Sequence, residues 1–307
     1  MKILIPGGSG QVGQILKRAF EDSGDEVVVL SRRAKNETHR WDGKSLGPWT
    51  RHVDDCDVVI NLAGRSVNCR YTEENLRQMM DSRVDSTRVV GEAIANSTSP
   101  PKVWLQMSTA TIYAHRFDAA NDEQQGIIGG DEPDAPAYWA RSIEIAKTWE
   151  RELDQANTPQ TRKVALRTAM VMSPDKEGVF DILCGLTKKW LGGKIASGKQ
   201  YVSWIHATDF VAAIRFLIEN ELITGAINLA SPNPLPQAEF QAALRKELGV
   251  SIGLPATKWM AELGAVFLKT DTELILKSRR VVPGLLLDAG FEFQYPTWPE
   301  AVKELVG

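Results

Sequence analysis

A chain of 307 residues with 43% hydrophobic content can bury a full core, as one large domain or two modest ones. Its 36 basic and 39 acidic residues leave a formal charge of -3 spread along the sequence. No basic field therefore marks a nucleic acid or an anionic membrane as partner, and a small molecule is expected instead. Cys56, Cys69 and Cys184 share no short spacing, which argues against a disulfide framework or a zinc site. The start of the chain has no signal-peptide pattern, and no apolar run approaches the ~18 residues of a membrane span, so the expected location is cytoplasmic.

In chain order, short β-branched apolar runs recur at 2–5, 26–30, 57–62, 102–108, 164–171 and 225–229. Each is followed by a turn and then a helical pattern, for example at 11–23, 73–95 and 143–156, with Pro100 and Pro101 breaking the chain before the fourth run. Strands that are apolar throughout are buried on both faces, which calls for a parallel sheet covered by helices, a doubly wound α/β fold of the Rossmann kind. After about Ser173 the alternation loosens, and helical patterns reappear at 237–248 and 256–268. The expected division is a dinucleotide-binding domain of residues 1–173 plus 205–229. A smaller C-terminal substrate-capping domain of 174–204 plus 230–307 would cover the open edge of the sheet, with Trp259 and Phe267 in its core.

The first run leads straight into Gly7, Gly8, Ser9, Gly10, Gln11, Val12 and Gly13, which open a helix. Strand before and helix after make this spacing a dinucleotide fingerprint: Gly7 for the tight turn, Gly10 for close approach of a pyrophosphate, Gly13 for helix packing on the strand. The second run ends in Ser31, Arg32 and Arg33, where an NAD site needs an acidic residue for the ribose 2′-hydroxyl. A hydroxyl and two guanidinium groups instead suit a 2′-phosphate, so NADP(H) is the expected cofactor. Leu62, Ala63 and Gly64, after Asn61, place small residues where a strand tip runs beside the adenosine and ribose.

These motifs, with Ser82-Arg83-Val84, Trp149-Glu150, Ser203-Trp204-Ile205-His206 with Asp209, and a tail of Gly290-Phe291-Glu292-Phe293 with Tyr295-Pro296, resemble the extended short-chain dehydrogenase/reductases. Within that group the similarity is to an atypical branch, the SDR39U1-like epimerase family, and it runs across nearly the whole chain. The resemblance implies an NADP(H)-dependent oxidoreductase or epimerase with a small polar substrate such as a nucleotide sugar. Such enzymes normally carry Tyr-x-x-x-Lys on a helix, the ammonium lowering the tyrosine pKa for proton transfer. Here the residues four positions after Tyr71, Tyr113, Tyr138, Tyr201 and Tyr295 are Asn75, Phe117, Ser142, Ile205 and Pro299, so the dyad is missing. Aligning Trp149-Glu150 with the end of that helix puts Ser142 and Ala146 at the dyad positions.

The catalytic candidates that remain are Thr109, at the family's substrate-orienting hydroxyl, then Tyr138, then Tyr113. Ser108, Arg83 and the main chain of Val171 are the further cofactor contacts the resemblance implies, with Arg83 equally readable as a helix-surface arginine paired to Asp81 or Asp85. Asp209 is expected to cap the helix near Phe210, with His206 bonding a neighbouring backbone group. Loss of the dyad leaves a second function open, a non-catalytic NADP(H)-binding sensor or regulator.

Overall fold

The computed structural model describes residues 1–133, 135–267 and 271–307, with side chains left out at 261, 263 and 265–267. The first half alternates β1 (Lys2–Pro6), α1 (Gln11–Asp22), β2 (Glu26–Leu30), β3 (Val58–Asn61), α2 (Glu73–Ala95), β4 (Val103–Thr109), α3 (Trp139–Gln155) and β5 (Arg162–Thr168). There follow β6 (Met170–Met172), α4 (Val179–Lys188), β7 (Tyr201–Val202), β8 (Trp204–His206), α5 (Ala207–Glu219) and β9 (Gly225–Leu229). The chain ends with β10 (Leu235–Pro236), α6 (Gln237–Glu247), α7 (Lys258–Phe267), α8 (Glu273–Leu276), α9 (Gly284–Asp288) and α10 (Trp298–Val306).

Six strands form one parallel sheet in the order β2-β1-β3-β4-β5-β9. The order reverses between β1 and β3, and ligands bind at the carboxyl ends of the strands at such a switch point. Alternate residues of each strand feed two cores. Ile3, Ile5, Ile60, Leu105 and Leu166 pack with Leu16 and Phe20 of α1 and Phe210 and Ile214 of α5. Leu4, Val59, Trp104 and Ala165 pack with Val89 and Val90 of α2 and Leu153 of α3 on the opposite face. Burial on both faces is why these strands read as continuous apolar runs.

The run expected as a single strand over 164–171 is two. β5 ends at Thr168, the N–H of Ala169 bonds the Leu229 carbonyl, and β6 leaves the sheet to pair with β8. An unbroken apolar run carries no mark of where a chain changes partner, so this bend was invisible in sequence. The expected cap is also corrected. His206 is the N-cap of α5, its Nδ1 accepting the Thr208 N–H, while the buried Asp209 carboxylate accepts the N–H groups of Gln294 and Tyr295 and anchors the tail. Trp259 is 64% exposed rather than core, because Lys258, Trp259 and Met260 at the start of α7 all face solvent. Leu268, the last residue of the expected helix, and the Phe267 side chain lie outside the described residues.

A third core joins Met172, Phe180, Trp204, Phe240 and Leu244 to Trp298, Ala301 and Val302 of α10. Trp298 is fully buried, stacks on Phe240 with ring centroids 4.0 Å apart, and donates its indole N–H to the Phe240 carbonyl at 2.9 Å. Trp298→Ala should therefore lower unfolding stability by about 3–5 kcal/mol in urea denaturation, and a loss below ~1 kcal/mol would contradict this packing.

Candidate functional site

The glycine turn sits at the end of β1, against the tips of β2 and β3. The Gly7 N–H bonds the Leu30 carbonyl at 3.0 Å, which places Ser31, Arg32 and Arg33 immediately beside the turn. Gly7 has φ of +75°, and a Cβ there would stand 2.6 Å from the Ala63 Cα, so only glycine lets β3 run this close. A Cβ on Gly13 would lie 2.3 Å from the Gly8 carbonyl oxygen, so this position sets the packing of α1 on the turn. A Cβ on Gly10 would meet nothing within 4 Å. The turn is crowded where it touches protein and open where a ligand would approach.

The start of α1 is left equally unencumbered. Its N-cap, Gly10, has no side-chain cap, and no acidic residue occupies the first turn. Among the described residues no side chain caps the N–H groups of Gln11, Val12 and Gly13, which with the positive end of the helix dipole are open to an anion such as phosphate. The Gln11 Nε2 is buried with no hydrogen-bond partner among the described residues. Arg32 and Arg33 are exposed and form no ion pair among those residues, and Ser31 is half-buried.

From β3 the site continues inward. The Asn61 carboxamide accepts the Ala63 N–H at 3.1 Å, fixing the bend before Leu62, Ala63 and Gly64 leave the strand. Gly64 lies against Arg83 of α2, whose guanidinium donates to the carbonyls of Met79 and Arg65 and sits 4.9 Å from the Trp149 ring. Arg83 is thus buried, not surface-paired; Asp85 sits instead beside Lys44 and Arg88. Burial pushes the Arg83 pKa down to about 10, and no carboxylate compensates its charge among the described residues. The Ser82 hydroxyl accepts the Arg65 N–H, so Ser82 and Arg83 together hold the loop after β3.

Arg83 opens onto a cavity of about 200 Å³ between α2 and α3, at the carboxyl end of β4. Ser108, Thr109, Thr111, Ser142, Ala146 and Trp149 line it, with Leu274 of α8. Thr109 uses an oxygen lone pair to accept the Thr111 N–H, capping a 3-10 turn at Ala110–Ile112, and keeps its hydroxyl proton for another acceptor. Ser108 donates to Glu150 at 2.6 Å. Tyr138 is 43% exposed, bonds Thr272 at 2.9 Å and does not line this cavity. Tyr113 is 2% exposed, its hydroxyl donating to Asn228 and accepting from Arg167. Val171 lies in β6 with its backbone paired to Ile205, also away from the cavity.

A family model described as the NAD dependent epimerase/dehydratase family matches residues 3–230, and a domain of unknown function, DUF1731, matches 256–305. The chain belongs to the NAD dependent epimerase/dehydratase family. Relatives include the epimerase family protein YfhF of Bacillus subtilis, 29% identical over 100% of this chain and 98% of its own length. The epimerase family protein SDR39U1 of Bos taurus is 28% identical over 100% of both. Among solved structures, human SDR39U1 (isoform 2) with NADPH matches at a TM-score of 0.84 and 25% identity, covering 100% of this chain and 99% of that one. A dTDP-4-dehydrorhamnose reductase from Clostridium acetobutylicum shares the fold, with a TM-score of 0.74 at 16% identity and coverage of 100% and 98%.

In this epimerase/dehydratase family member, Ser142 and Ala146, the aligned dyad positions, both face the cavity. Sequence reasoning missed what stands behind them. Glu150 and Arg167 form a two-pronged ion pair, with side chains 14% and 12% exposed. Burial opposes the Arg167 charge, but hydrogen bonds to Glu150 and the Glu150 charge more than offset it and raise the Arg167 pKa. Sequence reasoning also missed Glu273 and Lys277, an i,i+4 pair, because such spacing reads as a solvated helix face. Removing one partner of the Glu150–Arg167 pair leaves the other charge largely buried and unpaired. Arg167→Met should cost about 3–5 kcal/mol in chemical denaturation, with a loss under ~1 kcal/mol as the contrary result.

Proposed function

We propose that this protein is an NADP(H)-dependent oxidoreductase or epimerase of the extended short-chain dehydrogenase/reductase kind, acting on a small polar substrate such as a nucleotide sugar in a reducing, cytoplasmic setting. The observation that carries the reading is the half-buried Ser31 with the exposed Arg32 and Arg33, two guanidinium groups without an ion pair among the described residues, starting one residue beyond the bond that ties β2 to the glycine turn. NADPH in the human SDR39U1 structure supports it. The residues fit the dinucleotide by their own geometry, since the turn is open at Gly10 and Gln11 presents a buried amide without a partner among the described residues.

In this reading Gly7, Gly10, Gln11, Val12 and Gly13 hold the pyrophosphate through backbone N–H groups and the helix dipole. Ser31, Arg32 and Arg33 bind the 2′-phosphate by charge-assisted hydrogen bonds. Leu62, Ala63 and Gly64 border the adenosine and ribose, while Arg83, Ser108 and the Val171 main chain approach the other half. The bound dinucleotide supplies or accepts a hydride. Thr109, with its free hydroxyl proton in the cavity, orients a substrate carbonyl or hydroxyl by hydrogen bonding. Tyr113 serves the core, since its hydroxyl is spent on Asn228 and Arg167, and Tyr138 borders the site from the α3 N-terminus. The domain of 1–173 plus 205–229 binds the cofactor, and 174–204 plus 230–307 closes over the substrate.

Titration calorimetry tests the cofactor reading. The double variant Arg32→Ala, Arg33→Ala should weaken NADPH binding by roughly 10- to 100-fold while leaving NADH binding nearly unchanged, as expected for two lost guanidinium-phosphate contacts. Equal weakening of both dinucleotides, or none, would sink it.

A further inference from the structure

The missing tyrosine and lysine leave a chemical gap: a hydride cannot be added to a carbonyl without a proton for the resulting alkoxide. The cavity contains a different source. At the aligned tyrosine position, Ser142 lines the cavity, and its hydroxyl lies 2.6 Å from Glu273 Oε1 and 2.9 Å from the Trp139 carbonyl oxygen. Glu273 belongs to α8, which also contributes Leu274 to the cavity wall. Behind it, Lys277 Nζ lies 3.7 Å from Glu273 Oε1 and donates to the Thr111 carbonyl at 2.8 Å. Both side chains of this pair are 1% exposed.

We propose that Ser142, Glu273 and Lys277 form a proton relay that replaces the Tyr-x-x-x-Lys pair, with the Ser142 hydroxyl presented to substrate and the C-terminal segment holding the proton behind it. The proposal rests on the hydride-transfer reading above. Two features separate it from a structural ion pair. The Ser142 oxygen has one proton and two oxygen neighbours within bonding distance. Either Ser142 donates to an ionised Glu273, or a protonated Glu273 donates to Ser142 while Ser142 donates to Trp139. The same atoms therefore support both ends of a proton transfer. Moreover, Glu273 Oε2 is buried with no hydrogen-bond partner among the described residues, which a purely structural carboxylate at this depth would not tolerate cheaply.

The charges around the pair suit the task. Burial raises the Glu273 pKa, with the Arg279 and Lys277 charges pulling it back, and burial pushes the Lys277 pKa down to about 8. Asp271 and Tyr71 also face Glu273, Glu132 faces Lys277, and His115 accepts the Ser278 N–H beside them. Arg279 spends its donors on Thr111 Oγ1 and on the carbonyls of Glu273 and Leu274. In carbonyl reduction the substrate carbon gains a hydride from the reduced dinucleotide, and the C=O π pair becomes an alkoxide. The alkoxide oxygen takes the Ser142 proton, Ser142 takes one from Glu273, and Glu273 takes one from the Lys277 ammonium once Nζ closes from 3.7 Å to hydrogen-bond distance, leaving a neutral amine that regains its proton from water. Oxidation runs these transfers in reverse.

The test follows the Glu273 carboxyl by carbon-13 NMR in glutamate-labelled protein, assigned by its absence in Glu273→Gln. Its midpoint should lie above that of an ordinary glutamate and should move in both Ser142→Ala and Lys277→Met. A carboxyl that titrates in the ordinary range in all forms overturns the relay. NADPH consumption with 9,10-phenanthrenequinone as a generic carbonyl probe supplies the second arm. Glu273→Gln and Ser142→Ala should each lower kcat by about 10²- to 10⁴-fold with KM little changed. The wild-type rate should fall as pH rises past about 8, where the relay loses its proton, and Lys277→Met should displace that limb. Unchanged kcat in both variants overturns the relay. Wild-type protein that binds NADPH but reduces no carbonyl counts against the hydride-transfer reading, and the carboxyl titration then decides the relay alone.

Discussion

The ion pair between Glu150 of α3 and Arg167 of β5 is the interaction around which the site is assembled. Two parallel hydrogen bonds, at 2.9 and 2.8 Å, fix α3 against the sheet. Charge-assisted contacts of this fork geometry are directional as well as strong. The same carboxylate takes the Ser108 hydroxyl at the end of β4, and the same guanidinium reaches the Tyr113 hydroxyl, which continues to Asn228 of β9. One buried pair thus orders the ends of three neighbouring strands and the helix whose Ser142, Ala146 and Trp149 face the cavity. A buried pair of this kind need not add net stability, but breaking it is costly, so it acts as a constraint on geometry.

The remaining walls come from far along the chain. The Ser203 hydroxyl accepts the Val281 N–H and donates to the Arg279 carbonyl, and Lys277 and Arg279 reach the backbone and side chain of Thr111. These contacts press α8 against the cavity, and the Asp209 carboxylate holds residues 294 and 295 in the same way. The motif Ser203-Trp204-Ile205-His206 with Asp209 accordingly serves the docking of the C-terminal segment. That role accounts for His206 and Asp209, neither of which lines the cavity.

The glycine turn was more legible than the cavity because its physics is local. A glycine is readable wherever a side chain would collide, and the collisions at Gly7 and Gly13 are with residues near the turn or at the adjoining strand tip. The placement of Arg32 and Arg33 beside the turn is readable because their distance from the glycines is set by one helix and one strand. The catalytic side was not, since a tyrosine's reach depends on what surrounds it. Tyr113, a plausible proton donor in sequence, is fully engaged in the core, and Arg83, equally a surface residue by pattern, is buried under Trp149.

The sequence alone determined the parallel α/β sheet, the glycine turn between β1 and α1, the absence of a Tyr-x-x-x-Lys pattern and the family resemblance. All of these are carried by period, spacing or residue identity over a few tens of residues. Only the tertiary structure decided which polar groups share the cavity. Ser142 and Glu273 are separated by 131 positions, and nothing in either neighbourhood encodes a contact that arises when the tail folds back over α3. Hydrophobic patterning records that a segment must be covered; it does not record by what, and here the covering segment brings the charges.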